Sequence, residues 1–277
     1  MSSIAFLPGL LQIDTTSTLS PGARSMVYKI SMTGPWPSRE RPPDLGDAEA
    51  HVWVAAVDAV LDNRPGFVSV LSNEERERAG KFLREVDSRR YSAVRALLRH
   101  LLGDYIGRDP GKVRFAYNAY GKPELADSSE RIVNFSVSHS GDLGLFGFVR
   151  RCRIGVDIEH IRPDINMQQL AKRWFSKNEF EKLETLPPDQ QLDAFFRCWT
   201  RKEAYLKGRG EGITHGLDRF EVTLGPSEPV TILHADDDAD VSRRWTLEHL
   251  TPQPGYLGAA AVDDGGIAFR CFRWEAA

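Results

Sequence analysis

Cysteine is scarce in this 277-residue chain: Cys152, Cys198 and Cys271 lie far apart, form no CxxC pair and are odd in number. A disulfide framework is therefore not expected, and a reducing, cytoplasmic compartment fits better. Long apolar runs are missing too. The opening MSSIAFLPGLLQID holds a short apolar stretch without a basic flank or a cleavage site, so neither a signal peptide nor a membrane span is expected. Charge of one sign is not concentrated: the formal net charge is −3 and the basic residues are dispersed. That argues against a nucleic-acid binder, while leaving room for a local basic pocket facing a phosphorylated ligand. There is no GxxxxGK[ST] loop and no GxSxG elbow, and GRGEGI at 208–213 follows a helical pattern instead of linking strand to helix, so it is not a dinucleotide fingerprint.

What is present is ordinary globular composition, 41% hydrophobic and 27% charged, at a length that suits one large domain or two smaller ones. Residues 1–48, rich in Ser, Thr, Pro and Gly, show no sustained period and read as a loosely ordered extension. A strand is expected at HVWVAAVDAV. A helix is expected from SNEERERAGKFL, where Ser72 and Glu75 form a capping-box signature, and a longer one in DSRRYSAVRALLRHLLGDYIG, ended by Gly107 and Pro110. Strands follow in VRFAY, IVNFSVS, LGLFGFV and RIGVDIEH. The second half repeats the order: a capping box at Ser176 and Glu179, a long helix through DQQLDAFFRCWTRKEAYLK, then strands in DRFEVTL, VTILH, RWTLEHL, YLGAAAV and IAFRCFRW. The capping boxes lie 104 residues apart, and the pairs Arg114-Phe115 and Arg219-Phe220 lie 105 apart. This spacing predicts a duplicated α+β lobe, 49–151 and 152–277, each with a long helix on a small, mainly antiparallel sheet and a ligand cleft between the two. One chain then supplies both halves of the cleft, which predicts a monomer.

Three stretches carry chemistry. In GVDIEHI, Ile154, Val156 and Ile158 share one face of a strand while Asp157 and Glu159 share the other. Two carboxylates on one face suit either a solvated sheet surface or a hard-cation site, where a positive charge relieves their repulsion. In WTRKEAYLK, Trp199, Glu203 and Lys207 recur every four residues on one helical face, with Phe195 one turn earlier. A glutamate and a lysine at this spacing usually form a surface pair; beside aromatic neighbours they need partners. In NFSVSHSGDLGLFGF, Ser136, Ser138 and Ser140 alternate with Phe135, Val137 and His139 ahead of Gly141. Adjacent strand residues point to opposite faces, which disfavours a Ser/His hydrolase and leaves a structural polar turn or a phosphate-binding one.

These motifs in this chain order, preceded by YGKPEL at 120–125, resemble the two-lobed, monomeric 4′-phosphopantetheinyl transferases of the surfactin-synthetase-activating type, over roughly residues 50–265. The resemblance implies transfer of the phosphopantetheine arm of coenzyme A to a serine of an apo acyl or peptidyl carrier protein, releasing adenosine 3′,5′-bisphosphate. Magnesium is the implied metal, with manganese as the alternative. By motif match, Asp157, Glu159 and Glu203 are the metal-site carboxylates and Lys207 contacts the pyrophosphate. Lys122, Ser138 and His139 bind coenzyme A phosphates, and Arg78, Arg90 and Tyr91 meet the nucleotide. Glu75 departs from the pattern, standing where some members carry a basic residue.

In chemical terms, Glu203 is the expected proton acceptor, directly or through metal-bound water, the alternative being a metal ligand alone, with Asp157 and Lys207 completing the catalytic group. Lys172, Arg173, Trp174 and Phe175 are candidate contacts for an acidic carrier. Two rival expectations are a metal-dependent nuclease and a catalytically inactive carrier-binding module. The first lacks a basic stripe, and the intact acidic and lysine set argues against the second.

Overall fold

The computed structural model describes residues 36–127, 132–211 and 216–275. Residues 1–35 of the extension, and Gly212 and Ile213 of the GRGEGI loop, lie outside them. The elements run β1 (Ser38–Arg39), β2 (Glu49–Ala56), α1 (Val57–Asn63), α2 (Asn73–Ala79), α3 (Glu85–Ile106), β3 (Phe115–Tyr117), β4 (Pro123–Leu125), β5 (Val133–Ser140), β6 (Leu143–Arg150) and β7 (Ile154–His160). The second half continues with α4 (Met167–Trp174), α5 (Lys177–Thr185), α6 (Pro188–Arg209), β8 (Phe220–Val222), β9 (Ile232–Ala235), α7 (Val241–Arg244), β10 (Thr246–Leu250), β11 (Tyr256–Val262) and β12 (Ala268–Trp274).

The expected α+β architecture holds, and its alternating side chains stack it in four layers. On β2, Trp53 and Ala55 face a core shared with Leu97, Leu98 and Leu101 of α3, while Val52 and Val54 face the opposite way. That second face of the five-stranded sheet (order β1-β12-β2-β6-β5) packs on Ile154, Val156 and Ile158 of a three-stranded sheet (order β10-β11-β7). Gly147 permits the approach: a Cβ there would lie 2.5 Å from a Val156 methyl. The outer face of the three-stranded sheet carries α6, with Phe195, Tyr205, Leu247, Ala259 and Ala261 in its core. The order is therefore α3, sheet, sheet, α6.

The duplication extends into side-chain contacts. Both capping boxes form, and in each the glutamate is also the buried anchor of the long helix. Glu75 pairs with Arg95 at 2.6 Å and Arg99 at 2.7 Å; Glu179 pairs with Lys202 at 2.7 Å. The cations in turn lie over Phe115 (4.3 and 5.2 Å) and Phe220 (4.3 Å), the phenylalanines of the repeated Arg-Phe pairs. Both long helices span 22 residues and close on a left-handed glycine, Gly107 and Gly210.

Three features depart from the boundaries read in the sequence. The strand expected at HVWVAAVDAV stops at Ala56, and Val57–Asn63 form α1, with Asp58 in its first turn. Residues 36–48, assigned to a loose extension, are folded on the body: Trp36 is 5% exposed in the core between the sheets, and β1 pairs in parallel with β12. A buried tryptophan and a two-residue strand leave no periodic signature. The final strand, β12, joins the sheet of the first lobe, in parallel with β2.

Candidate active site

β5 and β7 are edge strands of different sheets, and their seam is closed by serine hydroxyls. Ser136 Oγ accepts from the Val156 amide at 3.1 Å, and Ser140 Oγ accepts from the His160 amide at 3.0 Å. Between and beyond these bonds the same row meets acids: Ser138 Oγ donates to Asp157 at 2.9 Å and Ser140 Oγ to Glu159 at 3.0 Å. The serine alternation was visible in the sequence. Its use as a seam was not, because the partner strand belongs to a different sheet.

The carboxylate face of β7 is buried against α6, not solvated. A Cβ on Gly155 would lie 2.0 Å from the Ala204 carbonyl oxygen and 2.2 Å from the Gly208 nitrogen, so strand and helix touch backbone to backbone. This contact brings Asp157 and Glu159 (3% and 4% exposed) beneath Glu203 (8%) and Lys207. Lys207 Nζ donates to Asp157 Oδ1 at 2.6 Å and to Ser138 Oγ at 3.0 Å. Among the described residues, Asp157 Oδ2 and Glu203 Oε1 are buried without a hydrogen-bond partner.

The electrostatics follow from three buried acids and one half-buried ammonium. Burial raises Asp157, although Lys207 pulls against it. Burial and then Asp157 raise Glu159 well above the carboxylate range, and the same two causes push Glu203 up to about 7. Desolvation works against the charge on Lys207, but Asp157 and Glu203 outweigh it and hold the ammonium above its usual range. A folded acid with a raised pKa holds its proton more tightly than the unfolded chain does. In EDTA, stability is therefore expected to fall as pH rises from 4.5, the ordinary glutamate value, through about 7, with the raised Glu159 adding to the loss. Urea midpoints across this range test it: the midpoint should drop with rising pH, and Glu203→Gln should remove part of the slope. A midpoint that rises instead contradicts the cluster.

The other expected residues divide into groups. Arg90 makes three hydrogen bonds to Asp58, the shortest 2.7 Å, and stands close enough to His139 to depress it. Desolvation first, then Lys207 and Arg90, hold that imidazole below the histidine range, although the residue is exposed. Arg78 lies over the Tyr91 ring at 5.7 Å, and Tyr91 meets Phe82 at 5.4 Å. Lys122 points elsewhere: its ammonium donates to the carbonyls of Ile154 (3.1 Å) and Lys207 (2.6 Å). Glu75, the departure noted in the sequence, is buried under Arg95 and Arg99. Lys172 and Arg173 are exposed, Trp174 is half-buried beneath Arg173 at 4.8 Å, and Phe175 is core.

Sequence reasoning missed Tyr256, whose hydroxyl donates to Asp142 in the turn after Ser140 and whose ring meets His160 at 4.8 Å. No local pattern marks a tyrosine that reaches across lobes. All three cysteines are free, and no described helix is long and apolar enough to cross a membrane. Among the described residues, no three His, Cys, Asp or Glu side chains are gathered as a ready-made metal cage. Lys207 stands on Asp157 and Ser140 holds Glu159.

Comparison with known proteins points to one family. Residues 153–261 match the 4′-phosphopantetheinyl transferase superfamily, and residues 63–147 match the 4′-phosphopantetheinyl transferase N-terminal family. The 4′-phosphopantetheinyl transferase HetI of Nostoc sp. PCC 7120 is 38% identical over 225 residues, 80% of this chain and 92% of the relative. The transferase Sfp of Bacillus subtilis strain 168 is 34% identical over 60% of this chain and 72% of its own length. The human L-aminoadipate-semialdehyde dehydrogenase-phosphopantetheinyl transferase is 31% identical over 57% and 54%. A chain that carries this acid and lysine cluster on β7 and α6, and is 38% identical to HetI over 92% of that relative, belongs to the 4′-phosphopantetheinyl transferases.

Proposed function

We propose that the protein transfers 4′-phosphopantetheine from coenzyme A to a serine hydroxyl of an apo carrier protein. The phosphorus on the pantetheine side gains the serine oxygen as its bond to the second phosphate breaks, and adenosine 3′,5′-bisphosphate departs. The observation that carries this reading is the buried excess of carboxylate: three acids face one ammonium, and two of their oxygens have no partner among the described residues. Such a cluster is costly unless a cation joins it.

The donor set suits Mg2+, or Mn2+: Asp157, Glu159 and Glu203 are hard oxygen ligands, and a cation would give the buried Asp157 Oδ2 and Glu203 Oε1 the partner they lack among the described residues. Bound there, the ion would neutralise charge on the diphosphate. Glu203, near neutrality in its pKa, takes the proton of the incoming hydroxyl, and Asp157 fixes the Lys207 ammonium where it stabilises the departing phosphate. His139 at the seam, with Arg78, Arg90 and Tyr91 on the first lobe, supplies donors and a ring for the nucleotide end, while Ser138, donating to Asp157 and accepting from Lys207, steadies that pair beside the phosphates. Lys172 and Arg173 beside Trp174 offer a basic, partly apolar surface to an acidic carrier.

The test is mass spectrometry of an apo carrier protein incubated with enzyme, coenzyme A and Mg2+. The expected result is a gain of one phosphopantetheine unit, abolished by EDTA. A carrier that stays unmodified while binding the protein would overturn the reading in favour of an inactive binding module.

A further inference from the structure

The turn between β3 and β4 is organised around one side chain. Asn118 Oδ1 accepts from the amides of Tyr120 (2.9 Å) and Lys122 (3.0 Å), and Gly121 takes a left-handed conformation at φ 81°. This first-lobe turn presents two donors to the second lobe. Asn118 Nδ2 donates to the Gly210 carbonyl at 2.8 Å, and Lys122 Nζ donates to the carbonyls of Lys207 and Ile154. Two of these acceptors sit at the C-terminal end of α6, where helix carbonyls lack intrahelical partners and a cation is favourable. The third lies next to Gly155, where β7 and α6 touch backbone to backbone.

We propose that Lys122 is a positioning residue: it ties the strand that carries Asp157 to the helix turn that carries Lys207, setting the distance between that acid and that ammonium. The bond to the Lys207 carbonyl fixes the backbone from which the catalytic ammonium extends. The bond to the Ile154 carbonyl holds β7 three residues before Asp157. Burial that pushes Lys122 down to about 8, against the pull of Glu124, fits an amine enclosed between main chains. Two of the ammonium's three donors are thus engaged within the protein, and the inference differs from a direct phosphate contact in what each kinetic constant should do.

The inference rests on phosphopantetheine transfer, so wild-type carrier modification is measured first; its absence would be a failure of that reading and not of the tie. The tie has its own readout. In Lys122→Met, backbone amides of residues 205–211 should exchange faster with solvent. In the active enzyme, kcat should fall about 10- to 100-fold, as for loss of groups that orient site residues. The coenzyme A dissociation constant should stay within about threefold, and Lys122→Arg should recover most of kcat. Asn118→Ala, which frees Gly210 and loosens the turn, should move kcat the same way and serves if Lys122→Met folds poorly. A coenzyme A dissociation constant raised tenfold or more, an unchanged kcat, or unchanged amide exchange at 205–211 overturns the proposal.

Discussion

Glu203→Gln should lower carrier modification by about 10²- to 10⁴-fold, the range spanned by a positioned general base. The substitution keeps shape and size, and Oε1 has no hydrogen-bond partner to lose among the described residues. What disappears is the capacity to accept a proton at a group whose burial and acidic neighbour place it at about 7. A base matched to the working pH is largely free to act without being so weak that transfer stalls. Single-turnover rates with saturating coenzyme A and carrier separate this from weakened binding. A variant within tenfold of wild type under those conditions removes Glu203 from the proton's path.

Gly155→Ala is the second large effect, and it acts through packing. The added methyl would sit 2.0 Å from the Ala204 oxygen, 2.2 Å from the Gly208 nitrogen and 2.9 Å from the Gly208 Cα. All three are backbone atoms, so no side chain can swing away, and α6 must lift from β7. Overpacking of this kind costs about 3 kcal/mol or more. It also parts Lys207 from Asp157, so both the urea midpoint and kcat should fall. Gly66→Ala is the control: nothing lies within 4 Å of its Cβ position, and its stability should change by no more than about 0.5 kcal/mol. A loss below about 1 kcal/mol in Gly155→Ala would mean that the helix and strand are not in backbone contact.

Local chemistry was legible in the sequence where one segment carries the whole signal. Ser72 with Glu75, Ser176 with Glu179, and the closing Gly107 needed only a few neighbouring residues to be read, and the two box positions already disclosed the repeat. The glutamate's second task, gripping Arg99 or Lys202, was not legible, since those partners lie 24 and 23 residues onward. The sides of β7 were assigned in the right alternation. That both sides are dry, one on a sheet and one on a helix, depends on tertiary layering that a strand pattern does not encode. Lys122 was assigned to phosphate from its motif, whereas its bonds go to main-chain carbonyls, which every residue owns and no residue type announces. The pairing of β12 with β2, more than two hundred residues apart, likewise leaves no local trace.

That last pairing bears on how a nascent chain matures. Synthesis delivers the first lobe early, yet its sheet has a slot between β1 and β2 that only residues 268–274 fill, bringing Phe272 and Trp274 into the core under α3. Until the ribosome has released that segment, the early half waits with an unzipped strand edge and a vacant hydrophobic berth. The repeats therefore look like twins but mature as one unit, and a truncation of the final strand strikes the half that was translated first.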